Sequence, residues 1–131
     1  MKQGAPVLVA DNSASFRMFI EKVIAEVWPH SHLIFCRDGM DVLEYFEESA
    51  PVPLLVLLDL GPTSFDVLKW LREQKLFLDL PIIVWSSVPL RREKALAEEF
   101  RATDYLKKPD TFSELLETVR AFEQSYRCQN S

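Results

Sequence analysis

Short blocks of unbroken apolar residues alternate along this chain with longer blocks whose apolar positions recur every three or four residues. The short blocks are "PVLVA" (6–10), "HLIFC" (32–36), "PLLVLL" (53–58) and "PIIVWS" (81–86), joined by the more polar "TDYLK" (103–107). Each has the length of a strand, and continuous apolarity is what a strand covered on both faces requires. The periodic blocks predict helices over 13–28, 38–49, 65–74, 90–100 and 111–127. In the first, Phe16, Phe19, Ile20, Val23, Ile24 and Val27 share one face, and Pro29 stops it. In the second, Met40, Leu43 and Phe46 lie on one side. In the last, Phe112, Leu115, Leu116, Val119 and Phe122 form the core stripe, and Thr111 with Glu114 makes a capping box.

Five strand–helix pairs in strict alternation predict an α/β fold: a parallel sheet with helices on both faces. Side chains that meet a ligand in such a fold gather past the carboxyl ends of the strands, where strand order reverses. Asp11 and Asn12 follow the first strand, Asp59 the third, Ser86 and Ser87 the fourth, and Lys107 and Lys108 the fifth, before Pro109. Singly these residues have ordinary readings as turn formers, caps and solvated charges. Together they aim carboxylates, hydroxyls and an ammonium at one place. Trp85, before the first of those serines, reads as core.

At 131 residues the chain predicts a single domain over 1–131, with a core of about 6–127 and a polar tail at 128–131. Hydrophobic residues make up 48% and charged residues 27%, as in ordinary globular domains. A net charge of −5 argues against a nucleic-acid partner. Cys36 and Cys128 form no metal-ligand pattern, the N-terminal apolar stretch is too short for a signal peptide, and no window is apolar enough to span a membrane. The expectation is a reduced, cytoplasmic protein with no membrane or nucleic-acid contact. Three glycines leave no dinucleotide fingerprint, and His30 and His32 read as solvent-facing turn residues.

"VLVADNSASFR", "LLDLGPTSFDVLKWLR", "LPIIVWSS" and "ATDYLKKP", in this order and at this spacing, resemble the receiver domain of two-component response regulators. The resemblance runs from about Val7 to Phe122. It implies a doubly wound five-stranded sheet in the flavodoxin-like order 2-1-3-4-5 with five helices. It also implies that Asp59 accepts a phosphoryl group from a sensor histidine kinase or phosphotransfer protein. By the same resemblance Mg²⁺ is held by Asp11, Asn12, Asp59 and the Gly61 carbonyl. Lys108 pairs with Asp59 at rest and with the phosphoryl group afterwards. Ser86 is the switch hydroxyl and Tyr105 the switch aromatic, and the Lys108–Pro109 bond is cis. The chain would then be a phosphoacceptor, not an enzyme proper. Its output would be a protein partner reading the surface of residues 90 to 122, through which two copies can also pair.

Departures from the family pattern qualify these roles. Asn12 stands where the family has a second acid, leaving two carboxylates for a cation that dehydrates reluctantly. Weaker Mg²⁺ binding follows, along with an Asp59 that ionises more readily. Gly61 and Val88 cannot position an attacking water with their side chains, which implies slow self-dephosphorylation. Thr63 and Val67 replace the Pro and Gly common after the acceptor. The competing expectation is a receiver-like interaction module that makes no use of phosphate. A dehalogenase-type phosphatase would need an acid where Gly61 stands.

Overall fold

The computed structural model describes residues 5–48 and 50–126. Five strands pair in parallel in the order β2-β1-β3-β4-β5: β1 (Val7–Ala10), β2 (Leu33–Cys36), β3 (Leu55–Asp59), β4 (Ile82–Ser86) and β5 (Asp104–Lys107). The helices between and after them are α1 (Ala14–Val27), α2 (Gly39–Glu47), α3 (Ser64–Glu73), α4 (Arg91–Glu99) and α5 (Phe112–Tyr126), with a 3-10 turn at Lys75–Phe77 before β4. The alternation of blocks predicted the parallel sheet with helices on both faces, and the order is the flavodoxin-like one that the family resemblance implies.

Because side chains alternate across a strand, the sheet splits its apolar residues between two cores. Val7, Val9, Leu55, Leu57, Ile83 and Trp85 face α1 and α5. Leu8, Ala10, Val56, Leu58, Ile82 and Val84 face α2 and α3. A fully buried aliphatic side chain contributes about 1.5–3 kcal/mol, so the central strands anchor both layers. Strand order reverses between β1 and β3, which opens a crevice at their carboxyl ends.

The helical faces depart from the expected stripes in three places. Phe16, Ile20, Val23 and Ile24 are buried, but Phe19 is 47% exposed and packs on Phe112, itself exposed. On α2 the buried residue is Val42, while Met40 is 61% exposed. These three corrections have one cause: an apolar stripe drawn from spacing alone is wider than the strip of helix that reaches the sheet. Ser13 and Asp38 stand outside their helices as N-caps, each accepting a backbone N–H three residues on. His32 is half-buried, not solvent-facing. The expected end of the second helix at residue 49, the end of the last at residue 127, Cys128 and the tail 128–131 lie outside the described residues.

Two further features tie the helices to the sheet. A Cβ on Gly39 would fall 2.3 Å from Thr63 Oγ1 and 2.8 Å from Val67 Cγ2. The start of α2 therefore closes on the turn after β3 only because position 39 lacks a side chain. On the other side, the buried Arg72 guanidinium donates to the carbonyls of Phe77 (2.7 Å) and Arg101 (2.9 Å) and to Thr103 Oγ1 (3.3 Å). Arg101 adopts a left-handed φ of 64° just past α4, a position usually given to glycine.

Candidate functional site

The parallel ladder continues past the strand ends and fixes the backbone of the site. Asp11 N–H donates to Cys36 O (2.9 Å), Leu60 N–H to Trp85 O (2.9 Å) and Lys108 N–H to Ser86 O (2.8 Å). Asp59 is itself the last residue of β3, one place further into the sheet than the sequence pattern predicted. Asp11, Asp59 and Lys108 thus start from rigid backbone, and their side chains meet.

Lys108 Nζ is 3.3 Å from Asp59 Oδ1 and forms a shorter ion pair with Asp11 Oδ2. Pairing with Asp59 was expected; the tighter pairing with Asp11 was not. Burial accounts for it. Asp11 is 3% exposed, whereas the Asp59 side chain is 26% exposed. A desolvated charge without a partner is the costlier of the two, so the amine stays nearer the deeper carboxylate. Asp11 Oδ1 is also engaged, accepting the Ser13 N–H at 2.8 Å. Among the described residues no peptide bond is cis, so the expected cis Lys108–Pro109 bond is trans. The lysine reaches both acids from the isomer that an X–Pro bond ordinarily favours.

Burial pushes the Asp59 carboxyl above its ordinary value, and the neighbouring Asp11 charge adds to this, while Lys108 pulls it back down. Burial thus keeps this carboxyl above its ordinary value even with Asn12 in place of a second acid. A cavity of about 250 Å³ opens in front of Asp59, lined by Asp11, Asn12, Gly61, Thr63, Arg37 and Asp38 among others. Ser64 braces its floor. The buried hydroxyl accepts the Gly61 N–H at 2.8 Å and donates to the Asp59 carbonyl at 2.9 Å.

The expected switch residues lie on the other side of the site and are tied away from it. Ser86 Oγ accepts the Val88 N–H at 3.3 Å. The Tyr105 hydroxyl donates to Glu93 Oε1 at 2.6 Å and accepts the Leu90 N–H at 3.2 Å, which ties it to the start of α4. Burial, and then the bond to Glu93, raise its phenol pKa. Lys107 turns outward to Asp110. Trp85 is core, as predicted, with no exposed surface. Sequence reading missed Ser13, Phe16 and Ser64 as parts of the site. Only Ser13 carried a signal, a cap residue directly before a periodic apolar block.

No protein-family model matches the chain. It is 30% identical over 122 residues to response regulator RR06 of Streptococcus pneumoniae, an alignment covering 92% of this chain and 54% of that protein. The chain therefore spans about half the length of that relative. It is 21% identical over 117 residues to the polar-differentiation response regulator DivK of Brucella ovis, covering 88% of this chain and 93% of DivK. Its relatives and structural neighbours are response regulators. Response regulator RPA3017 in red light signaling of R. palustris superposes with a TM-score of 0.83 at 24% identity, over 98% of this chain and 97% of that one. The Mn²⁺-bound form of response regulator Rcp1 does so with a TM-score of 0.80 at 22% identity, over 92% and 93%. These two likenesses show the fold that this chain shares with those response regulators.

The donor set at this cavity suits a hard divalent cation in kind. Asp11, Asp59, Asn12 and Gly61 line one cavity, and Asp38, which also lines it, is engaged as the N-cap of α2. In charge it is poor: among the described residues no three His, Cys, Asp or Glu side chains converge as metal ligands. Both oxygens of Asp11 already have partners. No helix of the described residues is long and apolar enough to cross a membrane.

Proposed function

We propose that the protein is a phosphorylation-controlled receiver in which Asp59 is the phosphoacceptor. The observation that carries this reading is the pairing of the Lys108 ammonium with both Asp11 and Asp59, two carboxylates that line one cavity. An Asp59 carboxylate oxygen attacks phosphorus, the P–N bond of a donor phosphohistidine breaks, and the electron pair leaves with the imidazole. Two anions must approach each other in this step, so fixed positive charge at the attacked group is the main requirement. Lys108 supplies it by moving from Asp11 toward the phosphoryl oxygens. When bound, Mg²⁺ would be held by Asp11, Asp59, the Gly61 carbonyl and the Asn12 amide oxygen, and would supply further charge neutralisation there. With Asn12 in place of an acid, that binding is weak.

Ser86 and Tyr105 are the switch pair in this reading. Release of the Ser86 hydroxyl toward the phosphoryl group frees space for the Tyr105 ring, whose bond to Glu93 then breaks and loosens α4. A protein partner, in the cytoplasm, reads the population shift on the surface of α4, β5 and α5. Self-dephosphorylation is slow, because neither Gly61 nor Val88 has a polar side chain with which to position an attacking water. Incubation with acetyl phosphate and Mg²⁺ followed by intact-mass measurement tests the proposal. One phosphoryl adduct on the native chain and none on D59N is the expected result. No adduct on the native chain at any Mg²⁺ concentration would leave the interaction-module reading in its place.

A further inference from the structure

Lys108 is held by more than its two carboxylates. Its Nζ lies 4.2 Å from the centroid of the Phe16 ring, within the distance at which an ammonium is attracted to an aromatic face. Phe16 is fixed by the same group of residues. Its backbone N–H donates to Ser13 Oγ at 3.2 Å, the Ser13 N–H donates to Asp11 Oδ1 at 2.8 Å, and Lys108 closes the circuit on Asp11 Oδ2. The ring is buried, and the indole of Trp85 meets it edge-on, 5.8 Å between centroids with the planes at 90°. The other buried positions on this face of α1, Ile20, Val23 and Ile24, are aliphatic. The Phe16 ring has two aromatic-specific contacts at this end of the helix, the Trp85 indole at its side and the Lys108 amine above it.

We propose that Phe16 is a positioning residue for Lys108, its ring face holding the ammonium between Asp11 and Asp59. The proposal rests on the phosphoacceptor reading of Asp59. A carboxylate would capture the amine and an aliphatic chain would give it no attraction. The face of a benzene ring attracts it without a directional bond, so the amine can slide from Asp11 toward a phosphoryl group while staying on the ring. The attraction is largest where water is excluded, and Lys108 is mostly buried.

The test follows the rate of adduct formation with acetyl phosphate, by intact mass, in the native protein, F16L, F16M, F16Y, K108M and F16L/K108M. F16L and F16M should slow it about tenfold, and F16Y should restore it to within about twofold. F16L should add nothing in the K108M background. Equal rates for F16L and F16Y, or the same slowing by F16L with and without Lys108, would overturn the proposal. A second measurement needs no phosphoryl group. The Lys108 ε-methylene proton resonances should be shifted upfield by the ring in the native protein and F16Y, and not in F16L or F16M. Unshifted resonances in the native protein would also overturn it. If the resonances are shifted but no adduct forms on the native chain, the phosphoacceptor reading fails and the hold of Phe16 on Lys108 stands.

Discussion

The two sides of the sheet's carboxyl edge are built differently. On the β1–β3 side, Asp11, Asp59 and Lys108 are largely withdrawn from water and joined to one another and to Phe16. On the β4–β5 side, the hydroxyls of Ser86 and Tyr105 bond outward, to the loop after β4 and to the start of α4. For Asp11, Asp59 and Tyr105, position in the sheet explains the contrast. β1 and β3 are central strands with apolar cover on both faces, so charges at their ends are desolvated and must pair. β5 is the edge strand and is only partly covered, so Tyr105 can reach a partner at the surface. Such an arrangement separates an interlocked, desolvated chemical end from an end whose hydroxyls bond outward, and four substitutions test that division.

The largest effect is expected from K108M, which leaves the buried Asp11 carboxylate with the Ser13 N–H as its remaining partner. Denaturant unfolding at pH 7 should show a loss of about 3 kcal/mol. A loss no larger than that of a surface substitution would mean the charged side is as wet as the other. N12D adds a carboxylate to the cavity wall and should tighten Mg²⁺ binding about tenfold by calorimetric titration. Equal affinities would remove the charge argument for weak binding.

D59N separates burial from ion pairing by its sign. Burial holds the Asp59 carboxyl above its ordinary value, so the folded protein favours the protonated form. That contribution to stability is full below the ordinary carboxylate pKa and is lost as pH rises through the raised folded value. At pH 7 the ionised group weighs against folding, and D59N should raise the unfolding midpoint, with the gain shrinking as pH falls toward about 4. A lower midpoint at pH 7 would show that the pairing with Lys108 outweighs burial. The smallest effect belongs to Y105F, which deletes the bonds to Glu93 and Leu90 near the surface and should cost less than about 1 kcal/mol by the same unfolding measurement. A cost equal to that of K108M would erase the contrast between the two sides.

Much of this was legible along the chain. The five apolar blocks and five periodic blocks specify the alternation. Asp59, Asp11 and Lys108 are recognisable because each directly follows or ends a strand. Phe19 and Met40 misled because periodicity tells which residues share a helix face but not how much of that face the sheet covers. Ser64 and Phe16 were invisible as site residues because their roles depend on distances across the fold, to the Asp59 carbonyl in one case and to an amine 92 positions away in the other.

Local pattern, then, determined which elements form and which charges stand at their ends, because strand and helix periods are properties of neighbouring residues. Tertiary structure alone decided which acid Lys108 prefers, which way Tyr105 turns and what the Phe16 ring faces. Those choices depend on how deeply each group is withdrawn from water, and burial is a property of the assembled layers that no stretch of sequence carries by itself.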